Sequence, residues 1–164
     1  MKKVKRVIIF LNLIGLLLFF NFAVIQKENL LEEGQLILLE LAPVDPRSLM
    51  QGDYMRLNYA ISRNTSSSRD KLPKRGYCVV FLDSSKIAHL VRFQEKAIPL
   101  KENEILIKYY SEGGWNINIG AESYFFQEGN ADKYDKAKYG GIKVDKEGNS
   151  LLIGLYDEDI KLIQ

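Results

Sequence analysis

The chain of 164 residues leaves room for one folded domain beyond an apolar N-terminal segment. Its net charge of +2 comes from the N-terminal tip, since no acidic residue precedes Glu28. That tip carries four of the 23 basic residues: Lys2, Lys3, Lys5 and Arg6. The other 19 basic residues face 21 acidic ones, so the rest of the chain has a charge of −2. A body this close to neutral offers no concentrated basic face, and we expect no nucleic-acid partner.

Residues 7–25 form an apolar stretch that only two asparagines and one glycine interrupt. As a helix, this stretch spans about 28 Å, close to the hydrocarbon thickness of a bilayer. The basic tip favours a cytoplasmic N-terminus and an extracytoplasmic remainder. A cleaved signal peptide is the alternative, but no small-x-small cleavage site follows the stretch. We therefore expect an uncleaved single-pass anchor in the cell membrane, with the lipid bilayer as partner of residues 7–25.

The predicted organisation is a tip and anchor at residues 1–26, a connector at 27–34 that can extend the helix, and a domain at 35–164. Short runs of β-forming residues alternate with turn residues in that domain, as in a small barrel or sandwich. Strands are predicted at residues 35–41, 54–61, 77–82, 87–93, 104–110, 115–119, 123–127, 141–144 and 151–156. One short helix is predicted from Asn130, its N-cap, to the pair Gly140-Gly141. The polar stretch 63–71 is predicted as a surface loop. The fold class is therefore mostly β, with one short helix, preceded by a single transmembrane helix.

The chain has one cysteine and one histidine. Cys78 lies in an apolar run, where a thiol usually behaves as a small buried hydrophobe. His89 lies in a strand-like stretch without the partner residues that zinc or a catalytic triad needs. We therefore predict no metal site and no cofactor.

The segment before and within the second predicted strand combines two prolines with a glycine turn. Pro43 and Pro46 favour an extended connection, and Gly52-Asp53 favours a tight turn into the strand. Strand alternation then separates two faces. The predicted core face carries Met55, Leu57, Tyr59 and Ile61, and the opposite face carries Tyr54, Arg56, Asn58 and Ala60.

The run Gly52-Asp53-Tyr54-x-x-Leu57-x-Tyr59 resembles the signature of the GDYXXLXY family. A second block, from Tyr124 through Glu128-Gly129 to Val144, resembles that family's pattern of strand, acidic-glycine turn, short helix and closing strands. The resemblance covers roughly residues 36–156 and the anchor. It implies a bacterial membrane-anchored protein of an uncharacterised family whose members often occur beside multi-pass membrane proteins. Such multi-pass proteins are therefore expected partners.

An enzymatic alternative comes from residues 48–53, which resemble the Thr-Leu-x-x-Gly-Asp segment after the nucleophile of signal peptidases. That mechanism needs a serine four residues before the Thr-like position, here Ser48, and a neutral lysine to activate it. Val44 occupies the required position and has no nucleophilic atom. We therefore predict no catalytic residue. An envelope hydrolase or ligand-binding enzyme whose active groups lie elsewhere stays the alternative.

The candidate binding or signature residues are Asp45, Arg47, Gly52, Asp53, Tyr54, Arg56, Leu57, Tyr59 and Glu128. Asp45 and Asp53 are capable of acid–base chemistry or cation binding, but Asp53 is more typical of a turn residue bonded to its own backbone. Tyr54 and Arg56 share the outer face of the strand and suit a recognition patch. The sequence favours a non-enzymatic, membrane-tethered domain that binds or assembles with other membrane or envelope proteins.

Overall fold

A computed structural model describes residues 2–42, 54–63, 72–112, 116–127, 129 and 131–163. Helix α1 (Lys2–Glu33) runs without interruption for 32 residues, so the predicted anchor and connector form one helix. This helix is long and apolar enough to cross a membrane, and the protein buries none of its most apolar stretch. The rest of the described chain is mostly β, as predicted.

Nine strands follow α1 in the part of the chain that the structure describes. They are β1 (Gln35–Glu40), β2 (Tyr54–Arg56), β3 (Arg75–Leu82), β4 (Ala88–Gln94), β5 (Glu104–Glu112), β6 (Asn116–Asn118), β7 (Ser123–Phe125), β8 (Tyr139–Val144) and β9 (Ser150–Tyr156). The sheet orders are β1-β8-β9, β4-β3-β5-β6 and the two-stranded β2-β7. Every strand pair within these sheets is antiparallel. Each predicted strand has a counterpart, which confirms the mostly β fold class.

The two larger sheets join at two seams and curl into a half-barrel. At one seam, Leu38 of β1 forms a bridge with Ile87, the residue before β4. At the other, the amide of Lys108 in β5 donates to the carbonyl of Gly148 in the β8–β9 turn, at 2.8 Å. The half-barrel encloses one apolar core, to which Ile37, Val80 and Ile107 contribute fully buried side chains.

The thiol of Cys78 lies in this core, as the sequence predicts. Burial raises the pKa of the thiol well above its usual value, because an apolar environment disfavours the thiolate. Cys78 is therefore a packing residue and not a reactive one.

The predicted strand at residues 54–61 is wrong in its second half. Strand β2 ends at Arg56, and Ala60 begins a four-residue helix, α2 (Ala60–Arg63). Tyr59 bridges Leu41 instead of continuing along β7, and its carbonyl accepts the Ser62 amide at 3.0 Å, which starts the helical turn. The alternation of burial nevertheless continues beyond the strand. The residues predicted for the core, Met55, Leu57, Tyr59 and Ile61, are all buried.

The predicted helix end at Gly140-Gly141 is also wrong. Helix α3 (Ala131–Tyr134) has four residues, and both glycines belong to β8. A Cβ atom on Gly140 would lie 2.8 Å from Cε1 of Tyr59, and one on Gly141 would clash with the ring of Tyr156. These glycines therefore admit two aromatic rings close to the β8 backbone. Asn130, the predicted N-cap, lies outside the described residues.

The end of α1 packs directly on the domain. Leu30 is buried, and its carbonyl accepts the Gly34 amide at 3.1 Å. Nζ of Lys143 in β8 donates to the Gly34 carbonyl at 2.8 Å. A side chain on Gly34 would collide with the Leu30 carbonyl, so the turn from helix to β1 needs glycine. The helix and the half-barrel thus share a packed junction.

Candidate functional site

The predicted site residues divide into a described and an undescribed group. Outside the described residues lie Asp45, Arg47, Gly52, Asp53 and Glu128, together with Val44 and Ser48 of the peptidase comparison. The described group comprises Tyr54, Arg56, Leu57 and Tyr59, which belong to β2 or directly follow it. The backbone of β2 pairs with β7 in the register Tyr54 with Phe125 and Arg56 with Ser123. We call this pair of strands the signature ribbon.

The inner side of the signature segment is fixed to the core. Leu57 is 2% exposed and Tyr59 is fully buried. The Tyr59 hydroxyl donates to the carbonyl of Ala121 at 2.6 Å. Burial, with a smaller contribution from the nearby Glu122 carboxylate, raises the pKa of the Tyr59 hydroxyl. The Leu57 amide donates to the Glu122 carbonyl at 2.7 Å. Leu57 and Tyr59 therefore anchor the segment and are not available to a partner.

A carboxylate that the sequence analysis missed shapes the turn under these anchors. Glu122 accepts hydrogen bonds from the amides of Ile119 and Gly120, the second at 3.0 Å. Gly120 has a φ of 82°, a left-handed conformation that glycine adopts without strain. Glu122 thus holds the Ala121 carbonyl in place for Tyr59. A glycine two residues before an acidic residue was the signal that the sequence offered.

The outer side of the signature ribbon carries an exposed cation and an exposed aromatic ring. Arg56 and its partner Ser123 are both exposed, and Phe125 is 73% exposed. Directly paired residues and residues two apart point to the same side of a sheet. Arg56, Ser123 and Phe125 therefore form one surface, which we call the ribbon face. Three consecutive aromatics at 124–126 were the overlooked signal, since alternation must turn at least one of them outward.

Aromatic packing supports the ribbon face from behind. Tyr124 and Phe126 both contact Tyr134 of α3, with ring centroids 5.1 and 5.3 Å apart. Desolvation and the neighbouring Tyr134 hydroxyl raise the pKa of Tyr124 to about 12. The edge-on contact between Tyr124 and Tyr134 stabilises beyond the area that it buries. Phe125 therefore projects from a strand that is packed on its other side.

The described ranges include the histidine of the chain, His89, on strand β4. They contain no group of three or more His, Cys, Asp or Glu residues that could hold a metal ion. His89 is exposed, with Nε2 3.1 Å from Oδ2 of Asp83 and its ring stacked on Phe81. This hydrogen bond, with those from the Ile87 and Ser85 amides, lowers the pKa of Asp83. The Asp83 carboxylate thereby caps the β3–β4 turn.

A cavity of about 530 Å³ opens where β3, β5 and the end of β6 meet. Tyr109 lines it and is 4% exposed, yet its hydroxyl has no hydrogen-bond partner in the described part of the chain. A Cβ atom on Gly76 would lie 2.7 Å from that hydroxyl, so glycine admits the ring. Arg75, Glu95 and Lys108 also line this cavity.

The fold defines the class of protein: a half-barrel β domain joined by a packed junction to one helix of membrane-spanning length. Within this class, a family model described as GDYXXLXY protein matches residues 16–155, and the chain belongs to the GDYXXLXY family. The match spans the second half of α1 and the strands up to Leu155. No curated protein and no solved structure matches the chain.

Proposed function

We propose that this protein is a non-enzymatic, membrane-tethered module whose ribbon face binds or assembles with another membrane or envelope protein. The observation that supports it most is the exposure of Phe125 beside Arg56 on a ribbon packed from behind. Aromatic residues and arginine are enriched at protein interfaces and dominate their binding energy. A ribbon that is already ordered loses little conformational entropy when a partner binds.

The tether fits the same role. The packed junction around Leu30 and Gly34 joins the domain to α1, so a membrane that α1 crosses would keep the whole domain beside it. Confinement of this kind raises the effective concentration toward partners in the same membrane. Multi-pass membrane proteins are the partner class that we propose.

The proposed topology places the basic tip in the cytoplasm and the half-barrel outside it, since basic residues flanking a span favour the cytoplasmic side. Protease added to spheroplasts should then digest the domain and leave a fragment containing α1. A domain that resists protease until the membrane is opened would contradict this orientation. Recovery of a soluble form that begins near residue 26 would contradict the uncleaved anchor.

Site-specific crosslinking tests the ribbon face itself. Phe125 is replaced by the photoreactive analogue benzoylphenylalanine in the full-length chain, and intact membranes are irradiated. A matched control carries the same analogue at Val91, a 46% exposed residue of β4 in the four-stranded sheet. We expect a discrete crosslinked product from position 125 and none from position 91. Equal products from both positions, or none from position 125, would refute the ribbon face as a docking surface.

A further inference from the structure

The loop between β4 and β5, residues 95–103, presents an apolar tip to solvent. Ile98 is 76% exposed and Leu100 is 43% exposed. Two exposed lysines, Lys96 and Lys101, flank this tip, and each is followed or preceded by an exposed glutamate, Glu95 or Glu102. Apolar residues bordered by lysine are typical of segments that lie in the interfacial region of a membrane.

An ion pair holds the backbone of this loop. The guanidinium of Arg92 donates to both carboxylate oxygens of Glu104, at 2.6 and 2.8 Å, and to the carbonyl of Pro99 at 3.1 Å. Oε2 of Glu104 also accepts the Lys101 amide at 2.9 Å. Bidentate pairs of this type are among the stronger and more directional hydrogen bonds in proteins. These bonds fix the loop backbone directly after Ile98, at Pro99 and Lys101.

The loop borders the part of α1 that directly follows the predicted span. Leu100 lines a cleft of about 870 Å³ together with Gln26 and Lys27, the first polar residues after residues 7–25. On another side of the helix, Leu151 of β9 lines an apolar surface with Val24. Because a helix rises about 1.5 Å per residue, Val24 and Lys27 lie within one turn of the end of the span. The base of the half-barrel therefore lies at the level where α1 leaves the hydrocarbon.

We propose that loop 95–103 is a second membrane contact, beside α1, that holds the domain against the lipid surface. Ile98 and Leu100 enter the headgroup region, and Lys96 and Lys101 lie against lipid phosphates. The position of Leu100 beside Gln26 and Lys27, where α1 leaves the predicted span, favours a lipid surface over a protein as the occupant. Because the helix is packed on the domain, two contacts, helix and loop, restrict the tilt of the whole protein in the bilayer more than the helix alone does.

A fluorophore at the tip tests this contact. Ile98→Cys in the full-length chain is labelled with the environment-sensitive dye NBD; Cys78 is buried, so the unsubstituted chain is the blank for labelling. Phe125→Cys on the ribbon face is the matched control, since the two side chains are similarly exposed. Both proteins are reconstituted in vesicles of equal parts phosphatidylcholine and phosphatidylglycerol. We expect blue-shifted emission at position 98 that lipids spin-labelled near the headgroup quench, and water-like emission at position 125.

Three outcomes would overturn the proposal or part of it. Emission at position 98 as water-like as that at position 125 would show that the tip does not reach lipid. A blue shift seen in native membranes and lost in pure lipid vesicles would assign the tip to a protein partner. Quenching of equal extent in vesicles of phosphatidylcholine alone would show that the lysines do not contribute to the contact. Weaker quenching in those vesicles would support a contact between the lysines and anionic lipid.

Discussion

The inner side of the signature segment and the outer ribbon face differ in what they contact, although residues 54–59 contribute to both. Leu57 and Tyr59 face inward, where they are buried and hydrogen-bonded to residues 121 and 122. Arg56 and Phe125 face outward and are exposed. Strand alternation thus divides the motif between construction of the core and presentation of a surface. Neighbouring residues of one sequence motif therefore have two different roles, one in the core and one on the surface.

The largest effect is expected from the inner face. Leu57→Ala removes buried methyl groups and leaves a cavity, which typically costs about 2–5 kcal/mol. That is a large share of the roughly 5–15 kcal/mol that stabilises a domain. Chemical denaturation of the full-length chain in detergent micelles measures the loss. A cost below about 1 kcal/mol would show that the inner face is not a packed core.

The same substitution, tyrosine to phenylalanine, compares a hydrogen-bonded buried tyrosine with one whose hydroxyl has no partner among the described residues. Tyr59→Phe removes the donor to the Ala121 carbonyl and leaves a buried acceptor unsatisfied, which costs about 1–3 kcal/mol. Tyr109→Phe removes a hydroxyl that has no partner among the described residues, so we expect a neutral or stabilising effect. Denaturation midpoints of both variants provide the comparison. Equal losses would contradict a specific role for the Tyr59 hydrogen bond.

Much of the fold could be predicted because its signals are local. Alternating β-forming residues and turn residues located the strands, and the same alternation placed Arg56 on one face and Leu57 and Tyr59 on the other. The errors arose where distant residues decide. Tyr59 bridges Leu41 instead of extending the strand along β7, and the sequence of residues 57–61 does not indicate this distant partner.

The roles of some glycines and exposed apolar residues also could not be predicted from local sequence. Gly140-Gly141 suits a helix end or a place where rings approach a strand, and only the fold selects the second role. The exposure of Phe125 and Ile98 depends on which neighbours cover each strand and loop, so the sequence alone did not mark them. The roles suggested for Asp45, Arg47, Gly52, Asp53 and Glu128 stay predictions.

The ion pair between Arg92 and Glu104 provides an intermediate test, because its role here is structural. The hydrogen bonds from Arg92 and the Lys101 amide lower the pKa of Glu104 to about 2, from roughly 4.3 in an unfolded chain. A lowered carboxylate pKa stabilises the fold above the unfolded value, and this contribution disappears as the pH falls toward the folded value. The gap in melting temperature between the unsubstituted chain and Glu104→Gln should therefore be widest above about pH 5 and close toward pH 2. Glu102→Gln, in the same loop, is the control.

A gap that stays constant across that range would show that the ionised Glu104 carboxylate does not stabilise the fold. A gap that closes for Glu104→Gln and is absent for Glu102→Gln would show that the Arg92–Glu104 pair stabilises the fold from outside the apolar core. This result would sharpen the contrast between buried anchors and presented surfaces.

The most direct measurement compares stability and crosslinking for Arg56→Ala in the chain that carries benzoylphenylalanine at position 125. Arg56 is exposed, so truncation should change the free energy of unfolding by no more than about 0.5 kcal/mol. If the ribbon face binds a partner, the same substitution should weaken or abolish the crosslink in membranes at unchanged protein level. An unchanged crosslink, or a loss of stability as large as that of Leu57→Ala, would contradict the division of the ribbon into a structural and a binding face.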